Sequence, residues 1–319
     1  MAVYTQVSDE ELEAYLAEYD IGQVTSFSGI AEGVENSNFL VRTTESTYIL
    51  TLYEKRVDPN DLPFFLGVMN HLSAKGLSCP QPVSARDGKV LRELNGRPAA
   101  VVTFLEGMWR RRIQPQHCTS LGKAMAEMHL ASADFKMERE NNLSVQGWRP
   151  LLDMSELPSH AEYQSLYNEL NEELSFLEKN WPSELPRGMI HADLFPDNVF
   201  YLGDEVSGFI DFYFACTDTL VYDLAICLNA WCFESDGSFN VTKARNLFQG
   251  YNGVRKCSDA EVAALPLLAR GSALRFLLTR LYDWLNTPEG ALVKPKDPME
   301  YLAKLRFHRN VTGPGAYGL

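Results

Sequence analysis

The sequence predicts an α+β protein of two lobes, in which a small lobe with an antiparallel sheet precedes a larger, mainly helical lobe. Short runs with strand-like alternation occupy the first hundred residues, and helical periodicities occupy most of the remainder. The length of 319 residues, with 45% hydrophobic content, also suits two units with ample cores. We place the boundary between residues 1–105 and residues 106–319.

The small lobe is predicted to open with a helix and to hold a second helix inside its sheet. Ser8 and Glu11 form a capping box for the first helix, and the second helix is predicted over 61–75. The dipeptide Asn95-Gly96 is a strong hairpin signal. Strand-like runs that together give a sheet of about five strands lie at 23–28, 38–43, 48–53, 81–85, 89–94 and 97–104.

The large lobe is predicted to be helical from residue 116 onward. The glycine-rich end of the chain, 313–319, is predicted to be frayed. Apolar periodicity predicts helices at 116–131, 163–180, 220–232, 242–251, 259–285 and 298–308.

Composition excludes several classes of partner. The net charge of −13 argues against a nucleic-acid partner or an anionic membrane surface. No apolar run reaches about 18 residues, so no membrane span is predicted, and the N-terminus lacks the features of a signal peptide. The six cysteines form no CxxC pair, which indicates a reduced, cytoplasmic protein.

The most informative stretch is H-A-D-L-F-P-D-N at 191–198, followed by D-F-Y at 211–213. Isolated Asp and Asn residues in loops most often cap helices or make turns. Here, however, they lie at the spacing of the kinase catalytic loop, H-R-D-L-x-x-x-N and then D-F-G, between two strand-like runs. Asp193 is the predicted catalytic base, which orients the acceptor hydroxyl and takes its proton. Asn198 and Asp211 are the predicted oxygen ligands of Mg²⁺, which phosphoryl transfer from ATP requires.

Two further segments are candidates for the nucleotide site. Gly29 and Gly33 lie in the turn between the first two strands, which extends through Asn36, and such glycines allow backbone amides to approach phosphates. Glycines of this kind are more often simple turn residues, but their position two strands ahead of a helix favours a phosphate loop. The last small-lobe strand leads into Thr103, Phe104 and Leu105, the predicted hinge whose backbone groups bond adenine.

These motifs resemble those of the aminoglycoside-phosphotransferase-like kinases, which share the two-lobed protein-kinase fold and phosphorylate small molecules. Leu121-Gly122 through Met128-His129 and Asp223-Leu224-Ala225 also match the family pattern. The run at 34–56 is most similar to bacterial members that phosphorylate L-homoserine in threonine biosynthesis. The resemblance therefore implies ATP and Mg²⁺ as cofactors and L-homoserine as the small-molecule substrate.

The resemblance also assigns roles to particular residues. His191 matches the loop histidine that supports the catalytic backbone, beside the base Asp193. Two further roles come from the residues and not from the resemblance: Asp223, unexpected in an apolar helix, is predicted to bond the catalytic-loop backbone rather than to act in chemistry. His129 is predicted to be a structural hydrogen-bonding residue.

One departure from the family pattern concerns the small-lobe lysine. Alignment of the third strand places Thr51 where the lysine belongs, and the helix positions near Phe65 and Leu66 lack the partner glutamate. Both ends of the ion pair are thus absent, which is easier to accommodate than the loss of one end. The phosphate charge would then be met by loop amides, by Arg42, or by Lys55 or Arg56.

The sequence leaves more than one candidate for the residues that contact the acceptor. The basic run Arg110-Arg111-Arg112 is a candidate for the acceptor carboxylate, although a solvated charge run is the commoner case, and Asp197 and Asp218 are candidates for the ammonium group. Two alternatives also stay open: a kinase for choline, ethanolamine or an aminoglycoside, and a regulator that binds nucleotide without turnover.

Overall fold

The computed structural model of the protein describes residues 5–30, 36–54, 57–155, 157, 163–287 and 295–319. The small lobe begins with helix α1 (Asp9–Leu16), whose Ser8–Glu11 capping box is formed as predicted. Its described residues form the strands β1 (Val24–Gly29), β2 (Ser37–Thr43), β3 (Thr47–Leu52), β4 (Arg92–Leu94) and β5 (Arg97–Thr103). These strands pair antiparallel throughout, in the order β1-β2-β3-β5-β4.

The two faces of the small-lobe sheet belong to different cores. Successive side chains of a strand point to opposite faces, and strand β5 shows the consequence. Ala99 and Val101 pack with helix α1 in the small-lobe core, whereas Ala100 and Val102 join the core of the large lobe. The sheet is therefore covered on both faces, and its second face connects it to the large lobe.

Helix α2 (Leu62–Ala74) makes this connection. Its residues Phe64 and Phe65 are buried in the large-lobe core, and Phe64 contacts Phe135 edge to face at 5.6 Å between ring centroids. At the start of the helix, Asp61 forms an ion pair with Arg139 of the large lobe at 2.6 Å. These contacts fix the inserted helix against the large lobe.

The large lobe contains seven helices in the described part of the chain. The longest helix, Asp259–Asn286, is long and apolar enough to cross a membrane by length and composition, but 61% of its apolar window is buried within the protein. It is a core helix, against which four of the other helices pack. The seven are α3 (Pro115–Ala131), α4 (Val145–Met154), α5 (Gln164–Asn180), α6 (Val221–Trp231), α7 (Val241–Val254), α8 (Asp259–Asn286) and α9 (Met299–Arg309).

Two short strand pairs lie between α5 and α6 and carry the predicted catalytic motifs. Strand β6 (Arg187–Ile190) pairs with β9 (Cys216–Thr219), and β7 (Val199–Leu202) pairs with β8 (Glu205–Phe209), both antiparallel. The chain segment 191–198 leaves β6 and enters β7. The candidate site is therefore built on four strand ends.

Three predictions of local structure differ from the observed fold. Residues 81–85 form a single bridge, Pro82 to Val102, rather than a strand, and helix α4 was not predicted. The C-terminus is not frayed, because Tyr317 is fully buried and its hydroxyl lies 2.7 Å from Nδ1 of His308. The apolar ring of Tyr317 outweighs the flexibility of the glycines around it.

Candidate active site

One buried carboxylate forms hydrogen bonds with the backbone of the loop after β6. Asp223 accepts hydrogen bonds from the backbone N–H of His191 at 2.9 Å and of Ala192 at 2.8 Å. Ala192 has φ +61°, a conformation that non-glycine residues rarely adopt. The predicted role of Asp223 as a structural partner of the loop backbone is confirmed.

Asp223 is itself part of a fully buried network. Nε2 of His129 lies 3.1 Å from Asp223, and Nδ1 of His129 lies 2.8 Å from the hydroxyl of Tyr251. Burial alone would raise the pKa of Asp223, but the hydrogen bonds from His129 and from the His191 backbone hold it below its usual value. The structural role predicted for His129 is likewise confirmed. The lowered pKa favours the ionised form of Asp223, which accepts the hydrogen bonds of the loop backbone.

Asp193 follows this anchored turn and is partly buried. Nδ2 of Asn198 donates to the backbone carbonyl of Asp193 at 2.8 Å and to its carboxylate at 3.1 Å. Burial raises the pKa of Asp193 to about 6; the charge of Asp197 adds to the rise, and the charges of Arg275 and Lys296 oppose it. A carboxylate with this pKa is ionised near neutral pH yet basic enough to accept a proton from an alcohol during transfer.

The donor set at Asn198 and Asp211 fits a hard cation. Because Nδ2 of Asn198 is directed to Asp193, its Oδ1 is the atom left to bind a metal ion. The backbone of Asn198 accepts a hydrogen bond from Ile210 at 3.0 Å, which brings the loop next to Asp211. Asp211 is exposed and has φ +63°. One neutral oxygen and one carboxylate are the ligands that Mg²⁺ commonly takes beside substrate phosphates.

His191 supports this arrangement from inside the protein. It is fully buried, and its Nε2 lies 2.9 Å from the carbonyl oxygen of Ile210. Its ring packs on Phe212 at 4.8 Å between centroids. Burial lowers the pKa of His191 and so disfavours its charged form. The ring ties the loop 191–198 to the segment that delivers Asp211.

The predicted hinge begins at Thr103, the last residue of β5. Thr103 is bonded to Gln81 and the N–H of Phe104 donates to Thr47 at 3.2 Å, so both serve the sheet. Among the described residues, the backbone N–H of Leu105 has no hydrogen-bond acceptor. Gly107, at φ +128°, then turns the chain past Ser207, where a side chain would not fit. Of the three predicted hinge residues, Leu105 is thus the one whose backbone N–H is not used by the sheet.

The predicted phosphate loop is described only at its two ends. Gly29 closes β1 and pairs with Phe39, whereas Gly33 lies outside the described residues. Asn36 is 4% exposed, and its Oδ1 accepts the N–H of Glu54 at 3.2 Å. Asn36 thus joins the end of the loop to the end of β3.

Thr51, at the position of the kinase lysine, is 2% exposed and donates its hydroxyl to Oδ1 of Asn38 at 2.7 Å. On α2, Phe65 contacts Tyr213, the residue after Asp211-Phe212, at 5.9 Å between ring centroids. A neutral hydrogen bond and an aromatic contact thus occupy the place of the ion pair.

The basic residues predicted to contact the phosphates or the acceptor carboxylate lie in different parts of the fold. Arg42 lies beside the turn between β2 and β3, at the opposite end of β2 from the glycine loop, and Lys55 and Arg56 lie outside the described residues. Arg110 donates to the carbonyl of Gly203 in the β7–β8 turn.

The two acidic candidates for the acceptor ammonium also differ. Asp218 accepts from Asn141 at 2.7 Å and from the N–H of Thr219 at 2.7 Å. Asp197 is exposed near Asp193 and is the better placed of the two.

Sequence reasoning missed Arg275, in the middle of α8. It is 1% exposed, and its guanidinium donates to the carbonyl of Ala192 at 2.5 Å. It also lies over the ring of Phe276 at 4.4 Å. A single arginine in a long helix gives no sequence signal of such a role, because only the packing of α8 beneath the loop brings the two together.

The protein is similar to homoserine kinases over its whole length. Residues 26–257 match the phosphotransferase enzyme family. The homoserine kinase of Paramagnetospirillum magneticum is 65% identical over 326 residues, and all of both chains is covered. The homoserine kinase of Agrobacterium fabrum is 61% identical, and 100% of this chain and 99% of the relative are covered.

Solved structures show the same fold at lower identity. A choline kinase from Cryptosporidium parvum superposes with a TM-score of 0.70 at 15% identity and covers 95% of this chain and 94% of its own. An amicoumacin kinase in complex with AMP-PNP and Ca²⁺ has a TM-score of 0.68 at 17% identity and covers 97% of this chain and 95% of its own. The predicted two-lobed, protein-kinase-like α+β fold is confirmed. The chain belongs to the phosphotransferase enzyme family and, within it, to the homoserine kinases.

Proposed function

We propose that this chain transfers the γ-phosphate of ATP to the hydroxyl of L-homoserine, giving O-phospho-L-homoserine. The observation that carries the proposal is the position of Asp193, hydrogen-bonded to Asn198 and one short hairpin away from Asp211. This is the constellation that phosphoryl transfer to an alcohol requires, and the choice of acceptor follows the homoserine kinases at 60% identity and above.

In this mechanism Asp193 orients the acceptor hydroxyl and takes its proton as the oxygen attacks the γ-phosphorus, while ADP departs on the opposite side. Asp223 and Arg275 hold the loop backbone from two sides and so fix the direction of the Asp193 side chain. Most of the rate gain in such a reaction comes from positioning and charge neutralisation rather than from covalent chemistry.

The cofactors are ATP and Mg²⁺. Asn198 and Asp211 would hold the cation, which, when bound, neutralises phosphate charge. Residues 1–105 would supply the nucleotide lobe, with Leu105 at adenine and the amides around Gly29 and Gly33 at the phosphates. Residues 106–319 would supply the catalytic and acceptor groups. A cytoplasmic location is part of the proposal and agrees with six cysteines that are all free thiols.

The test is ADP release with MgATP against L-homoserine, L-serine, choline, ethanolamine and kanamycin. We expect turnover with L-homoserine to exceed turnover with every other acceptor. A clear preference for choline or ethanolamine would keep the mechanism and refute the acceptor. Binding of ATP without turnover of any acceptor would refute the catalytic proposal and favour a nucleotide-dependent regulator.

A further inference from the structure

Two aromatic rings and a lysine form one wall beside the catalytic carboxylate. Phe195, two residues after Asp193, meets Phe276 of α8 edge to face at 4.9 Å between ring centroids. The Nζ of Lys296 lies 5.3 Å from the centroid of Phe195. The wall therefore places a cation next to the apolar surface that adjoins the catalytic base.

The turn that carries Lys296 is attached to the large lobe. Arg280 of α8 donates to the backbone carbonyl of Asp297 at 3.2 Å and pairs with Glu300 at 2.7 Å. Asp297 in turn accepts the N–H of Met299 at 2.8 Å. Lys296 is thus an exposed side chain on an anchored backbone, which limits the positions that its ammonium group reaches.

Lys296 makes no ion pair within the described part of the chain. Other cations of the same region do: Lys304 pairs with Glu300 at 2.6 Å. In a protein with 42 acidic and 29 basic residues, an unpaired cation near the catalytic carboxylate is noteworthy. Its charge nevertheless reaches Asp193, whose pKa it lowers.

Two buried polar atoms near this wall are also without hydrogen-bond partners among the described residues, the hydroxyl of Tyr301 and Nε of Arg275. The ring of Tyr301 contacts Phe276 at 5.4 Å between centroids. Buried polar groups are rarely left unsatisfied in proteins. The hydroxyl of Tyr301 and Nε of Arg275 are therefore two donors beside the wall that make no hydrogen bond to the described residues.

The position of Lys296 indicates whether it contacts the acceptor or the nucleotide. Asn198 and Asp211 lie on the β7–β8 side, and Tyr213, two residues after Asp211, contacts Tyr53 of the small lobe at 5.3 Å between ring centroids. Lys296 instead lies beside Phe195, in the segment of the large lobe between α8 and α9. An anion that Lys296 binds is therefore part of the acceptor and not of the nucleotide.

We propose that Lys296 binds the carboxylate of the acceptor and thereby selects an amino acid over amino alcohols that lack a carboxylate. This inference rests on the proposed phosphorylation of L-homoserine, whose carboxylate lies a short carbon chain away from its reacting hydroxyl. Phe195 and Phe276 form the apolar surface against which this chain lies. Lys296 is a specificity-determining residue in this assignment, and Asp193 remains the base.

The experiment compares L-homoserine with 3-aminopropan-1-ol, which differs only in lacking the carboxylate. ADP release is measured for the wild type, Lys296→Met, Lys296→Arg and the control Lys256→Met, an exposed lysine elsewhere on the large lobe. Loss of a charge-assisted contact predicts a rise of about tenfold or more in the KM for L-homoserine in Lys296→Met. The KM values for 3-aminopropan-1-ol and for MgATP are expected to be unchanged. Lys296→Arg should recover most of the loss, because it keeps the charge.

The outcomes separate the two proposals. If the wild type does not turn over L-homoserine, the proposed function fails. If it does and Lys296→Met retains the wild-type KM for L-homoserine, the function stands and the assignment of Lys296 is wrong. A higher KM for MgATP with an unchanged KM for L-homoserine also overturns the assignment, because it places Lys296 on the nucleotide.

Discussion

The carboxylate of Asp223 accepts a hydrogen bond from the backbone N–H of Ala192 at 2.8 Å, across 31 residues of sequence. Ala192 has φ +61°, so the turn that presents Asp193 relies on a partner elsewhere in the chain. Arg275 completes the support by donating to the carbonyl of the same residue. The peptide groups on both sides of Ala192 are thus fixed, one by an anion and one by a cation.

Asp223→Ala should therefore destabilise the fold as well as the site. It leaves two backbone N–H groups and His129 without a buried acceptor, a loss that we expect to cost about 3–5 kcal/mol. Denaturant unfolding followed by tryptophan fluorescence measures it. The matched control is Asp20→Ala, since Asp20 is 80% exposed and pairs with Arg86 at the surface; we expect it to stay within about 0.5 kcal/mol of wild type. Equal stabilities of the two variants would contradict the proposed support.

Asp193→Asn should fold, bind MgATP and lose turnover. The amide still accepts a hydrogen bond from Asn198 but no longer takes the hydroxyl proton. General-base catalysis typically contributes about 10²–10⁴-fold, and we expect kcat to fall by that factor with little change in the KM for ATP. The measurement is ADP release at saturating L-homoserine. Turnover within about threefold of wild type would remove Asp193 from the role of base.

The same substitution should change stability in a pH-dependent way. The folded pKa of Asp193 is about 6, above the value of about 3.9 in an unfolded chain. Folding therefore binds a proton in this interval, and the associated stability, present below about pH 4, is lost as the pH rises through about 6. Because the side chain is partly exposed, we expect this contribution to the free energy of unfolding to be roughly 2–3 kcal/mol.

Asp193→Asn has no such proton to lose, so its stability relative to wild type should increase from about pH 4 to about pH 8. Thermal unfolding of both proteins without nucleotide or metal measures the difference at each pH. A difference that does not depend on pH would show that the carboxyl group has an ordinary pKa.

Asp211→Asn should change the requirement for metal rather than the fold. It replaces the only anionic protein ligand of the proposed Mg²⁺ site with a neutral oxygen, and Mg²⁺ prefers carboxylate ligands. We expect the Mg²⁺ concentration for half-maximal activity to rise by about tenfold or more, with an unchanged melting temperature. The control is Asp236→Asn, in the exposed loop where Asp236 bonds Ser238. Identical Mg²⁺ dependence in the two variants would refute the assignment of Asp211.

Much of this structure was predictable because its signals are local. The Ser8 cap, the Asn95-Gly96 turn and the helical periodicities depend on neighbouring residues. The predicted helices lie within a residue or two of the observed bounds, except that α7 continues three residues further, to Val254. Asp223 was predictable for another reason. A single acid inside an apolar helix must have a buried partner, and the nearby loop supplies it.

The unpredicted features depend on tertiary packing. Arg275 is an ordinary residue of a long helix until α8 packs beneath the catalytic loop. Tyr317 is surrounded by glycines that favour disorder, and its contacts with His308 and Phe239 hold it in place. The partner of Arg275 lies 83 residues away in the sequence. For Tyr317, burial of the ring outweighs the flexibility that the neighbouring glycines predict.

Thr51→Lys tests whether position 51 can accommodate the lysine that other kinases have there. Thr51 is 2% exposed and bonded to Asn38, and the nearby residues Phe65 and Leu66 of α2 offer no acid. A lysine there would bury an ammonium group without a partner, so we expect a loss of roughly 3–5 kcal/mol in unfolding free energy. Thr25→Lys, on an exposed position of β1, is the matched control and should stay within about 0.5 kcal/mol. If Thr51→Lys were instead stable and lowered the KM for ATP, the position would retain the role of the lysine, and the small lobe would need no other source of positive charge.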